Sequence, residues 1–142
     1  MNFRIKKITF SKTFFALLVP LVFAKTAYAE KTIEICNQKE QSHVALSQCL
    51  DRKIDALDRE LQTWINNQIF VLEEFALTTG RRSSLEMFRR SQRNFTTYRE
   101  NNCRWQYLFI SPNIDAAPTY KKCYILLTRD RINELSKINN VN

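Results

Sequence analysis

From Val44 to Leu77 the apolar side chains return at Leu46, Leu50, Ile54, Leu57, Leu61, Trp64, Ile65, Ile69, Leu72 and Phe75. Steps of three and four held this long spell an α-helix, and the alternation of a half-buried strand is absent. The run is longer than most globular helices. Ser42 stands where an N-cap belongs. Gly80, the only glycine of the chain, follows Thr78 and Thr79 where a left-handed residue ends a helix. A rod of this length in a small chain leaves little choice, because the remaining elements must lie along it to bury its apolar stripe.

A second helix opens at Ser83. Ser83 and Glu86 have the spacing of a capping box. Leu85, Phe88, Gln92, Phe95, Asn102 and Trp105 carry its seam onward. The connection Gly80-Arg81-Arg82 is so short that the two helices must form an antiparallel hairpin. Residues 110–118 hold two prolines and an Asn-Ile-Asp turn signal, and read as a loop. A third helix is expected from about Thr119 to Ile138, with Tyr120, Tyr124, Leu127, Arg131, Leu135 and Ile138 on one face. The fold class is all-α: a disulfide-stapled three-helix bundle built on a long antiparallel helical hairpin.

The N-terminus has a different character. Arg4, Lys6, Lys7 and Lys12 precede the apolar run TFFALLVPLVFA, which ends near Ala27-Tyr28-Ala29. A basic start, a short apolar middle and an A-x-A end are the parts of a secretory signal, so residues 1–29 are read as export signal and 30–142 as the mature helical domain. The apolar run is too short to span a bilayer, and no lipobox cysteine sits at the cleavage point. Localisation is therefore expected to be periplasmic or secreted, with no membrane contact after cleavage. The formal charge of +8 changes with it. Residues 1–29 hold five of the 22 basic side chains and no acid, leaving 17 basic against 14 acidic, or +3. The basic character of the whole chain is thus mostly signal, and no nucleic-acid partner is inferred.

Cys36, Cys49, Cys103 and Cys123 all lie in the exported part. An even number of cysteines in an oxidising compartment implies two disulfides. A zinc site would want paired C-x-x-C spacings or more histidine than His43 alone. Antiparallel geometry gathers Cys49, Cys103 and Cys123 at one end of the bundle, with Cys36 in reach, so all three connectivities are open. The local pairs Cys36–Cys49 and Cys103–Cys123 are favoured, with Cys49–Cys103 and Cys36–Cys123 second. Each local bridge would stabilise a thin core by about 3 kcal/mol.

Charge is spread unevenly. Residues 43–77 carry six acids against three bases, whereas residues 81–105 carry seven arginines against Glu86 and Glu100. The simple consequence is attraction between an acidic and a basic helix along the hairpin. The sharper one is a patch of Arg89, Arg90 and Arg93 for an anionic partner. For catalysis the inventory is poor: one histidine, no H-E-x-x-H, no G-x-S-x-G, no glycine-rich phosphate loop. Glu73 and Glu74 are adjacent on a helix and diverge. The chain is read as a non-enzyme without metal or cofactor.

Three segments carry a resemblance. Phe88-Arg89-x-x-Gln92-Arg93-x-Phe95-x-x-Tyr98-Arg99-Glu100-x-x-Cys103 resembles the L-R-x-x-Q-x-x-W-x-x-Y-R-D-x-x-C signature of the LprI-type lysozyme-inhibitor domain family. Cys49 with Asp58-x-x-Leu61-Gln62 is similar to its C-x8-D-x-x-L-N segment. Cys123 with Leu127-Thr128-x-x-Arg131-x-x-x-Leu135 is similar to its ending. Phe95, Gln62 and Glu100 stand where tryptophan, asparagine and aspartate are usual, and YLFISPNIDAAP replaces a glycine-rich stretch. The resemblance implies an exported, disulfide-bonded helical domain that inhibits lysozyme by direct binding.

Asp58, Gln92, Arg99 and Arg131 occupy or flank the seams. Buried polar groups need partners, so these four are read as a structural network in which Asp58 accepts from Arg99 or Arg131. Two functions follow. One is an exported inhibitor docking on a lysozyme or related muramidase through the 106–119 loop, with Tyr107, Phe109 and Ile110 as anchors and Asp115 as polar tip. The other is a non-inhibitory binding module that uses the arginine-rich second helix on an anionic partner.

Overall fold

The computed structural model describes residues 26–39 and 42–139, with side chains between Lys31 and Ile138. Residues 1–25, which hold the basic and apolar stretches of the expected export signal, lie outside the described residues. Among the described residues the chain forms four helices and no strand: α1 (Thr26–Lys39), α2 (His43–Thr79), α3 (Ser83–Ile110) and α4 (Ala116–Asn139). None is long and apolar enough to cross a membrane.

The ends of α2 follow from local chemistry. The Ser42 hydroxyl accepts from the Ala45 amide at 3.1 Å, satisfying a donor with no partner inside the helix. Gly80 takes φ 72°, which costs a residue without Cβ nothing, and its amide closes on the Ala76 carbonyl at 2.9 Å. The helix α3 departs from expectation at both ends. Arg82 holds the N-cap position in an α-helical conformation with no side-chain cap, so the box of Ser83 and Glu86 does not form. Ser83 is already helical, and the Glu86 amide donates to the Arg82 carbonyl instead.

At its other end α3 runs on to Ile110. Tyr107, Phe109 and Ile110 therefore lie on a helix, and the expected 106–119 loop shrinks to the turn 111–115. Asn113 makes that turn by accepting the Asp115 amide on its side chain at 3.0 Å. α4 then starts at Ala116, three residues earlier than expected, because Pro118 falls in its first turn, where a missing N–H costs nothing. The fourth helix, α1, had no clear periodic signal. It is joined to α2 by Cys36–Cys49, and Ile33 packs on the core.

The arms of the hairpin are separated for much of their length by α4, which runs parallel to α2 and antiparallel to α3. Lys121–Asp51, Tyr124–Asp58 and Arg129–Glu60 join α4 to α2. Cys103–Cys123 and Arg131–Gln92 join it to α3. The acids of α2 accordingly meet bases of α4 as well as of α3. Direct pairs between the hairpin arms are Arg99–Asp58 and Arg89–Glu73. The core holds Leu50, Leu57, Leu61, Ile125, Ile132 and Leu135 with the cysteines Cys36 and Cys49, so its apolar mass sits where α4 covers α2.

Candidate functional site

The four polar seam residues come together in two linked clusters. Arg99 is only 7% exposed. Its Nη1 donates to Asp58 Oδ1 at 3.1 Å and Thr128 Oγ1 at 2.7 Å. The guanidinium lies 3.8 Å from the centre of the Tyr124 ring and 5.3 Å from that of Phe95, a cation held by two π faces as well as by a carboxylate. The Tyr124 hydroxyl donates to Asp58 Oδ2 at 3.1 Å. One turn away, Arg131 donates from Nε to Gln92 Oε1 at 3.3 Å, from Nη2 to Ser91 and from Nη1 to Glu134. Its guanidinium lies 5.6 Å from the centre of the same Phe95 ring. Phe95 thus sits between two arginines, where a flat aromatic face is needed. Asp58 pairs with Arg99 and not with Arg131.

Two phenols border this network. Burial pushes Tyr120 up to about 12, reinforced by its hydrogen bond to the Glu100 carboxylate. Burial likewise raises Tyr124 to about 12, with Arg99 opposing and Asp58 adding to the rise. Both rings stay protonated and donate at neutral pH. Each of these side chains has a partner in the fold, although Arg99 Nε and Gln92 Nε2 are buried without a hydrogen bond. No nucleophile, base and open space converge, and among the described residues no cluster of His, Cys, Asp or Glu could hold a metal.

The disulfides lie at one pole. Cys36–Cys49 and Cys103–Cys123 have Cα atoms 5.8 and 5.5 Å apart, ordinary spans for a bridge, and no described cysteine is free. Above them the end of α3, the 111–115 turn and the start of α2 converge, with His43 Nδ1 3.4 Å from Asp115 Oδ1. Val44, Leu108, Phe109 and Ile114 are exposed there, Phe109 to 83%. Tyr107 turns toward the base of α4, lining a groove with Glu100, Arg104 and Tyr120. Trp105, expected on the seam, is 56% exposed on the outer side of α3.

The expected arginine patch is partly engaged. Arg89 Nη2 bonds Glu73 Oε1 at 2.7 Å and ties α3 to α2. Arg90 and Arg93 are exposed on the same helix.

With this geometry in place, comparison adds one finding. The family model described as lysozyme inhibitor LprI matches residues 36–135. The chain belongs to the LprI family. The matched stretch begins at Cys36 and ends at Leu135, both completely buried, so it coincides with the packed core. No curated protein and no solved structure matches the chain. Most residues that carry the LprI resemblance point inward: Gln92, Phe95, Arg99 and Cys103 from α3, Asp58 and Leu61 from α2, and Thr128, Arg131 and Leu135 from α4. Tyr98 is an exception, 56% exposed on the outer side of α3. The LprI fold and its two disulfides are those of an extracellular or periplasmic protein.

Proposed function

We propose that this chain is an exported inhibitor that docks on a lysozyme or a related wall-degrading enzyme through its disulfide pole, acting by contact and not by turnover. The observation that carries this reading is the exposure of Val44, Leu108, Phe109 and Ile114, large apolar side chains left in water at the most covalently constrained end of the molecule. Exposed apolar patches with a polar rim mark partner surfaces. Two bridges hold this one rigid, so little conformational freedom is lost on binding. Phe109 is the natural anchor, a ring that enters a cleft. His43, Asp115 and Lys121 would supply the rim. The mature domain, from Glu30 on, carries only about +3 by the count above, so local fit and not long-range attraction selects the target.

The experiment is an inhibition and binding assay of the oxidised protein against lysozymes of several structural types. Phe109→Asp is expected to weaken inhibition by at least roughly tenfold, the loss of one buried aromatic anchor, while leaving thermal stability unchanged because the side chain is exposed. Wild-type protein that neither binds nor inhibits any of them, or full inhibition by Phe109→Asp and Leu108→Asp, would remove this function.

A further inference from the structure

The outer side of α3 carries a second surface, round the helix from the face that packs on α4. Asn94, Thr97, Tyr98, Asn101, Asn102 and Trp105 line a shallow, wide-open groove along this one helix. From this geometry we infer a binding site for a neutral, extended β-linked pyranose oligosaccharide, stacked on Tyr98 and Trp105 and held by the carboxamides of Asn94 and Asn101.

The order along the helix is amide, aromatic, amide, aromatic: Asn94, Tyr98, Asn101, Trp105. Tyr98 and Trp105 are seven residues apart, so they share a face and stand about 10.5 Å apart along the axis. That is the span of a disaccharide repeat in an extended chain. Both rings are 56% exposed, which leaves each a free face for the C–H side of a sugar ring. Trp105 is oriented in advance, because its indole Nε1 donates to Asn102 Oδ1 at 3.3 Å. Asn94 and Asn101 are exposed and make no side-chain bond among the described residues, so both can donate to and accept from hydroxyl and acetamido groups.

The chemistry of the lining selects this occupant over others. α3 carries Arg89, Arg90, Arg93, Arg99 and Arg104, yet none of them lines the groove. A single-stranded nucleic acid would use the two rings but needs cations along its backbone. A second copy of the chain laid along this stripe would set Asn94 and Asn101 in the seam, a cost in stability at each. An apolar protein surface would strand the same amides without partners. A neutral polyol satisfies them all.

The test is a titration of the oxidised full chain with N-acetylated chitotriose, cellotriose and the curved α-linked maltotriose, followed by tryptophan fluorescence and calorimetry. Saturable binding of the β-linked probes is expected, with maltotriose at least about tenfold weaker. Trp105→Ala and Tyr98→Ala should each weaken binding by about tenfold or more, one lost stacking platform, and Asn101→Ala by several-fold. Circular dichroism melting should be unchanged in all three, since the side chains are exposed. Phe109→Asp should bind the sugars as wild type does, which separates this site from the disulfide pole. No saturable binding of either β-linked probe, equal binding of maltotriose, or undiminished binding by Trp105→Ala and Tyr98→Ala would overturn the inference. So would loss of lysozyme binding in Trp105→Ala without any sugar binding by wild type, which would assign the face to a protein partner.

Discussion

At the disulfide pole, two bridges, the Lys121–Asp51 ion pair and the Tyr120–Glu100 hydrogen bond hold four helix ends together. The opposite pole is the tip of the α2–α3 hairpin, and it is built far more lightly. From the Arg129–Glu60 contact α4 has ten residues left to Asn139, whereas α2 has nineteen to Thr79. Parallel helices rise equally per residue, so α2 outruns α4 by about nine residues and leaves the tip without its third helix. Only Ala76 and Leu85 are buried there, and Phe75, Leu77 and Met87 stay in water. The Glu73–Arg89 pair that crosses the tip has both side chains 48% exposed. Both poles therefore show apolar side chains, but only one presents them on a fixed frame. Exposure alone does not make a docking surface; exposure on a rigid base does.

Substitutions can break or sharpen this contrast. The largest effect is expected from Cys103→Ala with Cys123→Ala, which opens a loop of sequence separation 20. Urea unfolding should show a loss of about 3 kcal/mol, together with loss of the proposed inhibition. Retained inhibition would show that the pole needs no clamp. Next is Arg99→Ala, which removes a buried guanidinium from Asp58, Thr128 and the Tyr124 face. Asp58 remains 41% exposed and can be solvated, so a loss of about 2 kcal/mol is expected, below that of a fully buried pair.

A smaller effect is expected in alkali. Tyr120 and Tyr124 have folded-state pKa values of about 12 against an ordinary 10.0. A raised phenol contributes stability that is intact below the unfolded value and lost as pH climbs through the folded one. Melting temperature should therefore hold up to about pH 10 and fall between about 10 and 12. The double variant Tyr120→Phe/Tyr124→Phe should show a flatter fall over that window. The smallest effect is at the tip: Arg89→Ala should cost less than about 0.5 kcal/mol, the scale of a solvated ion pair. A larger loss would mean that the tip is as firmly built as the disulfide pole.

Where the sequence was readable, one local interaction decided the outcome. Ser42 and Gly80 end α2 because a hydroxyl and a left-handed backbone can do so without tertiary help. The meeting helix ends left three cysteine connectivities open, and the favoured local pairs, Cys36–Cys49 and Cys103–Cys123, are the ones that form. Where several segments decided together, reading failed. α3 carries a broad apolar arc, with Phe88 and Phe95 at one edge and Tyr98 and Trp105 at the other, and periodicity cannot say which part of it α4 will cover. Trp105 was thus expected in the seam and lies outside it. The prolines at 112 and 118 signalled a long loop, yet Pro118 sits where a helix tolerates it, so α4 starts early. α1 was not foreseen, although Ile33 and Cys36, three residues apart on one face, are what keep it in place. The polar residues Asp58, Arg99, Gln92 and Arg131 were visible as positions in or beside the seams, but the pairing of Asp58 with Arg99 depended on Tyr124 and Thr128, which only the packed α4 brings into place.

Hydrogen exchange of the protein alone and mixed with a lysozyme that it inhibits puts the central claim to the most direct test. Amides at the end of α3, in the 111–115 turn and at the start of α2 should slow on complex formation, while residues 72–90 at the hairpin tip exchange as before. Protection that falls on the tip and leaves residues 105–115 unchanged would contradict the account.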